Sequence, residues 1–229
     1  MTRSSDLGNN MAILSEPQQA EARFRPQTLV PRTWQQILDA LPNHKLAWTE
    51  AEPQVTGASL NSRTTLPGDL YLALPGAKTH GADHAATAIN AGAVAIVTDA
   101  VGATKLSSSC PVPVIVVDEP RSVVGTLSQQ IYAQPDGIAT PLFGVTGTNG
   151  KTTTSYFIDA VLAKLNIKTA LVGTIETRVG GTAIPSALTT PEATQLHALF
   201  SRLREENGAA AVMEVSSHAL ELGRVTGTR

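Results

Sequence analysis

The chain predicts an α/β protein of two units, a small α/β domain followed by an incomplete doubly wound domain of the phosphate-loop type. Three observations predict it. Short apolar runs of strand length alternate with segments of helical period. A turn-rich stretch, Gln134-Pro135-Asp136-Gly137 and then Thr140-Pro141, divides the chain. Beyond it, Gly147-Thr148-Asn149-Gly150 joins an apolar strand to a helix that begins at Lys151.

Residues 1–32 read as a disordered, solvated tail. Arg3, Asp6, Glu16, Glu21, Arg23 and Arg25 punctuate this segment and no apolar run supports a secretory leader. The first unit is placed at 33–138. Thr33 is suited to cap a helix whose apolar face is Trp34, Ile37, Leu38 and Leu41. Trp34 and Trp48 read as packing residues. A short strand is expected within 54–63, a turn at Pro67-Gly68, and a buried strand over 69–74. A short helix over 84–91, strands over 93–98 and 112–117, and a helix over 121–132 with Val123, Val124, Leu127 and Ile131 on one face complete it.

The second unit is placed at 139–229. Its first strand, 141–145, leads into the glycine loop. The helix over 151–165 is expected to bury Phe157, Ile158, Val161, Leu162 and Leu165. A strand over 169–175, a helix over 191–207 with Pro191 in its first turn, and a strand over 210–215 follow. Three strands are few for a doubly wound sheet, and nothing after Leu222 reads as the close of a domain. The chain is therefore expected to be an amino-terminal piece.

Composition excludes several classes. Of 229 residues 42% are hydrophobic and 16% charged, with a formal net charge of −2, so no basic face offers a sequence-independent grip on nucleic acid. No stretch has the length of a membrane span. Cys110 is the only cysteine, which removes an internal disulfide and a cysteine-rich zinc site. His80 and His84 are spaced i, i+4 but lack the glutamate of a zinc helix. A cytoplasmic location is expected.

The loop carries the chemistry. Gly147 and Gly150 let the backbone approach a phosphate closely, and the N–H groups of the loop and helix start form an anion cradle. Lys151 is placed to reach the β and γ phosphates of ATP and the Thr152 hydroxyl to ligate Mg²⁺, with Thr153 following. The usual spacing would put the first glycine at Val145, whereas Gly144 stands one place earlier. Glu214, in Met213-Glu214-Val215-Ser216-Ser217-His218, falls at the carboxyl end of a strand beside the loop, where a carboxylate suits a hard cation. Alone, Glu214 reads equally as a solvated acid, His218 as a structural hydrogen-bonder, and Ser186 to Glu192 as a helix start.

Together these segments resemble the Mur ligase family. Gly144 to Thr154 is similar to that family's ATP loop, which accounts for the unusual spacing. Leu188-Thr189-Thr190-Pro191-Glu192-Ala193 and Met213 to Leu220 are similar to the branch that extends a UDP-N-acetylmuramoyl-dipeptide by one amino acid. Ser59-Leu60-Asn61-Ser62-Arg63 and Pro67 to Leu74 resemble the family's uridine-nucleotide domain. The resemblance covers about 54–229. It implies that Leu60, Ser62 and the loop Ala77-Lys78-Thr79 contact the uridine diphosphate part. It further implies that Thr189, Thr190, Ser216 and Arg224 hold the muramoyl-peptide, that Thr152 and Glu214 bind Mg²⁺, and that Lys151 acts on the phosphates of ATP. Leu222 stands where some relatives have glutamine.

The activity implied is ATP-dependent amide formation in peptidoglycan precursor synthesis, adding diaminopimelate or lysine through an acyl phosphate, by an enzyme that is a monomer when full length. Family members continue with a second Mg²⁺ region, a modified lysine and a third domain that holds the amino acid, so this chain alone is expected to be inactive. Two other readings stand beside it. One is another superfamily member, a folylpolyglutamate synthetase or the next ligase of the pathway; the Thr152-Thr153 pair and Met213 to Leu220 weigh against these. The other is a nucleotide-binding module without activity.

Overall fold

A computed structural model describes residues 13–41, 43–47, 51–106, 110–133, 140–184 and 187–228. Trp48, the 134–137 turn and Ser186 lie outside the described residues. Two five-stranded sheets form the framework.

The segment before Thr33 corrects the sequence reading. Residues 13–32 are built onto the protein rather than solvated. Helix α1 (Glu16–Ala22) carries Pro17 in its first turn. Its Gln18 side chain accepts from Ser15 N and donates to the Thr65 carbonyl (2.7 Å). Arg25 is buried and forms a two-pronged pair with Asp69, at 2.6 and 2.9 Å, while also donating to the Ala58 carbonyl. Its guanidinium lies 5.8 Å from the Tyr132 ring centroid. The charges of this segment were therefore misleading on sequence: Arg25 is charged because a buried carboxylate needs a partner, not because it faces water.

Helix α2 (Trp34–Asp39) is capped by Thr33, and Gln36 returns the bond to Thr33 N. Trp34, Ile37 and Leu41 are buried, as the periodicity predicts. The first sheet runs β1-β5-β4-β3-β2. Strands β2 (Gly57–Ser59), β3 (Asp69–Leu72), β4 (Ala95–Thr98) and β5 (Val114–Val116) are parallel, and β1 (Lys45–Ala47) adds antiparallel to β5. Helices α3 (Ala85–Asn90), α4 (Ala100–Lys105) and α5 (Pro120–Tyr132) complete the unit. The four-residue strands β3 and β4 are buried at every position, which is why they read as continuous apolar runs rather than alternating ones.

The second sheet runs β6-β10-β7-β8-β9. Strands β6 (Leu142–Val145), β10 (Ala210–Glu214) and β7 (Thr169–Val172) are parallel. The sequence reading missed an antiparallel hairpin, β8 (Thr177–Val179) and β9 (Thr182–Ile184), which brings the sheet from three strands to five. Its two-residue turn, Gly180-Gly181, has positive φ at both positions, the pattern such hairpins require. Helix α6 (Lys151–Lys164) follows the glycine loop, α7 (Ala193–Glu205) precedes β10, and α8 (Ser217–Glu221) follows it. Pro191 precedes the α7 cap residue Glu192 rather than entering the first turn.

A second correction concerns α6. Phe157, Val161 and Leu165 are 69%, 60% and 64% exposed, so the apolar stripe faces outward. The residues α6 buries are Ser155 and Asp159. Asp159 accepts from Thr169 Oγ1 (2.6 Å) and pairs with Arg178, so polar bonds join the half-buried Ile158 and Leu162 in fixing the helix on the sheet.

The core does not respect the domain division. Helix α7 buries nine of its thirteen residues, packed between β7, β8 and α5 of the first unit. One cluster runs from Trp34, Leu70 and Leu127 to Leu196, Leu199 and Met213. The 13–32 segment ties the same units together: Gln27 N and Thr28 N donate to the Glu205 carboxylate (2.6 and 2.7 Å), and Gln195 donates to Glu21 (2.8 Å).

Removing one partner of the buried pair leaves an uncompensated charge. Asp69→Ala is expected to lower the unfolding free energy by about 3–5 kcal/mol. The Arg25→Met/Asp69→Leu double variant should lose less than the two single variants summed, and urea denaturation of the four proteins measures both quantities.

Candidate functional site

The site lies at the carboxyl ends of β6, β7 and β10, where parallel strands of this kind receive ligands. The loop after β6, residues 146–150, is exposed. Gly150 has φ of 81° and Gly147 of 143°, conformations that side chains disfavour. With Gly150 as its N-cap, α6 presents its first N–H groups beyond the loop. Lys151 Nζ donates to the Gly147 carbonyl (2.8 Å) and so lies folded over the cradle. Thr148, Asn149 and Thr153 are exposed on the same rim.

Glu214 ends β10 and is 1% exposed. Its Oε2 accepts from Thr152 Oγ1 (3.0 Å) and from Thr174 Oγ1 (3.2 Å), and its Oε1 accepts from Thr174 N (2.9 Å). A side chain at Gly173 would put its Cβ 2.4 Å from Glu214 Oε1, so the glycine is what lets the carboxylate seat there. Thr152 and Glu214 thus meet as the sequence expects, and two hard oxygen donors at a phosphate loop fit Mg²⁺.

From Glu214 the contacts run toward the remaining candidates. Thr190 Oγ1 donates to the Glu214 carbonyl (2.8 Å) and accepts from Ser216 N (3.2 Å). Thr174 and Thr189 hydroxyls lie 3.1 Å apart. Arg224 donates to the Thr190 carbonyl (3.3 Å) and approaches Glu192 Oε1 at 2.8 Å. Ser216 also caps α8 through Ala219 N (3.1 Å). The structure therefore joins Lys151, Thr152, Glu214, Thr189, Thr190, Ser216 and Arg224 into one continuous region.

Sequence reasoning missed three of its members. Thr174 gives two of the three bonds to Glu214; its signal was its place just past the carboxyl end of β7. Glu192 pairs with both Arg224 and Arg121 of the first unit, at 2.9 Å to the latter. Arg121 also donates to the Leu222 carbonyl (3.0 Å), a pairing across units that no local pattern announces.

In the first unit, Leu60 and Ser62 follow β2. Ser62 is 8% exposed and hydrogen-bonds Tyr71, whose phenol burial pushes up to about 12. Ala77, Lys78 and Thr79 form an exposed loop after β3, with Thr79 Oγ1 3.4 Å from His84 Nε2. Leu60 shares a cavity of about 350 Å³ with Leu188 and Glu192, so the loop after β2 faces the segment that carries Thr189 and Thr190.

Comparison with known proteins gives the family and the fold. Residues 54–132 match the catalytic domain of the Mur ligase family, and 145–229 match the Mur ligase middle domain. A UDP-N-acetylmuramoyl-L-alanyl-D-glutamate–2,6-diaminopimelate ligase of Streptomyces avermitilis is 50% identical over 181 residues, 79% of this chain and 35% of that protein. A UDP-N-acetylmuramyl-tripeptide synthetase of Leifsonia xyli is 50% identical over 174 residues, 76% of this chain and 34% of that protein. The chain thus spans about a third of the length of these relatives. A solved UDP-N-acetylmuramoyl-L-alanyl-D-glutamate–2,6-diaminopimelate ligase superposes with a TM-score of 0.65 at 26% identity, covering 86% of this chain and 38% of its own. MurF from Acinetobacter baumannii shares the fold, at a TM-score of 0.56 and 20% identity over 82% of this chain and 36% of its own.

The turn that holds Arg224 is itself held by His197. This buried imidazole contacts the Thr226 carbonyl through Nε2 (3.0 Å), and burial holds its pKa below the ordinary 6.5. A depressed histidine contributes stability that is complete above 6.5 and is lost progressively as pH falls from that value through the lower folded one, because the unfolded chain binds the proton first. Wild type should therefore lose melting temperature more steeply than His197→Gln as pH is lowered from neutrality through 6.5. Equal slopes in a thermal melt series would contradict this role.

Proposed function

This chain belongs to the Mur ligase family, and from that premise we propose that it is the substrate- and ATP-binding portion of an amide ligase of cytoplasmic peptidoglycan precursor synthesis. The ligase extends UDP-N-acetylmuramoyl-L-alanyl-D-glutamate by its third amino acid. Of diaminopimelate and lysine, the names of the relatives favour diaminopimelate. The observation that carries the reading is the unbroken path of contacts from Thr152 through Glu214 to Thr190, Ser216 and Arg224. It couples a phosphate loop to a second binding surface in one rigid unit.

The chemistry follows from that coupling. An oxygen of the substrate's γ-carboxylate attacks the γ-phosphorus of ATP, and ADP leaves with the bond electrons. The incoming amine then attacks the acyl carbon, loses a proton, and expels inorganic phosphate. Lys151 and the N–H groups of 147–152 bind and orient the phosphates, opposing the charge that moves toward the bridging oxygen. Thr152 and Glu214 would hold Mg²⁺, which when bound neutralises phosphate oxygens. Thr189, Thr190, Ser216 and Arg224 orient the muramoyl-peptide so that its carboxylate lies in line with the phosphoryl group, and alignment of this kind accounts for much of the rate. Leu60, Ser62 and the 77–79 loop hold the uridine diphosphate end.

In the complete enzyme, Lys151→Ala should abolish ATP-dependent tripeptide formation while the circular dichroism spectrum and melting temperature stay near wild type. A charge-assisted contact to phosphate contributes at least about 1.5–3 kcal/mol. Near-normal turnover by the folded variant would sink the assignment.

A further inference from the structure

The cavity of about 350 Å³ opens between three segments that are distant in sequence. Glu21 and Phe24 come from the 13–32 segment, Leu60 and Asn61 from the loop after β2, and Leu188 and Gln195 from the second unit. Its lining is apolar with interspersed acceptors and amides, the mixture that suits an amphipathic ring rather than a charged group.

Charge sharpens the choice. Two carboxylates, Glu21 and Glu192, reach the cavity. Glu192 is already paired with Arg121 and Arg224. Glu21 is 6% exposed and lines the cavity, and its Oε2 accepts from Gln195 Nε2 (2.8 Å), which fixes the carboxylate in the cavity wall. The nearby guanidinium of Arg25 directs its Nη1 and Nη2 to Asp69 and the Ala58 carbonyl. A diphosphate would meet carboxylates here, so the occupant is neutral and carries N–H or O–H donors.

We propose that Glu21 is a specificity residue that accepts a hydrogen bond from the N-acylated amino sugar of the nucleotide-linked substrate, with the sugar seated between the 13–32 segment and the loop after β2. This inference rests on the reading given under Proposed function, because the sugar is the neutral part lying between the nucleotide, assigned to Leu60 and Ser62, and the peptide, assigned to Thr189 and Thr190. Phe24 and Leu60 give the ring and its acetyl methyl an apolar wall, and the carboxylate supplies the acceptor. A buried acceptor of this kind discriminates strongly, since a ligand lacking the donor leaves it unpaired.

The test is calorimetric titration of the chain with UDP-N-acetylmuramoyl-L-alanyl-D-glutamate and, separately, with UDP. Glu21→Gln keeps the shape and the contact with Gln195 but replaces one acceptor oxygen with a donor. It should weaken the sugar nucleotide by about tenfold or more, leave UDP unchanged and keep the melting temperature. Ala20→Phe, which fills the same cavity from α1, should show the same split. Parallel loss for both ligands in both folded variants, or no loss for either, overturns the role of Glu21. Failure of the wild-type chain to bind the sugar nucleotide overturns the parent reading and this inference with it.

Discussion

One carboxylate organises the site. Glu214 stands at the end of a central parallel strand, buried, and its acceptors are met by Thr152 from the phosphate-loop helix and by Thr174 from the neighbouring strand end. A buried carboxylate without such donors would be costly, whereas three donors in place make it a rigid anchor. Because its own carbonyl also receives Thr190 Oγ1, the position of the 188–192 segment depends on the same residue. The loop, the strand end and the second binding surface are therefore held at fixed separation by one side chain and one peptide group. The proposed reaction between two bound substrates would require such a fixed separation.

A second constraint acts between the units. Helix α7 is buried on nearly all sides, so the two sheets share one core and their relative placement is set by packing. The 13–32 segment closes this arrangement from outside. Arg25 anchors it to Asp69 of β3, and the two backbone N–H groups of Gln27 and Thr28 take the Glu205 carboxylate at the far end of α7. The segment is fixed to the first unit at Gln18, Arg25 and Arg32 and reaches the second unit from its middle, through Glu21, Gln27 and Thr28. The cavity between them consequently has walls of defined spacing, although they come from parts of the chain up to about 170 residues apart.

Much of this was legible in the sequence, and the failures have physical causes. Strands β3, β4 and β10 are buried throughout, and unbroken apolar runs identify them. The glycine loop between strand and helix was readable because its positive-φ backbone demands glycine, whereas the burial of Glu214 was not, since alone it reads equally as a solvated acid. Thr174 was not, since one hydroxyl in a loop resembles any other. The 13–32 segment was misread because its polar side chains make tertiary pairs that no local period records. Helix α6 failed for the opposite reason. Its apolar residues are spread around the helix, and the fully buried positions are Ser155 and Asp159, the latter bonded to Thr169 and Arg178. Periodicity finds a stripe; it does not say which way the stripe points.

The groups proposed for ligand binding are already bonded within the protein. Lys151 lies on the Gly147 carbonyl, Thr152 on Glu214, Thr190 on the Glu214 carbonyl and Arg224 against Glu192. Binding is therefore an exchange of contacts, and affinity is set by the difference between the new bonds and the old ones rather than by their sum. The exchanges are unequal. Lys151 gives up one carbonyl for a multiply charged phosphate group, a large gain. Thr190, buried with its hydroxyl between the Glu214 carbonyl and Ser216 N, has more to give up for a substrate contact. Under the proposed function the exchange that gains most is the one at Lys151, beside which phosphoryl charge would develop.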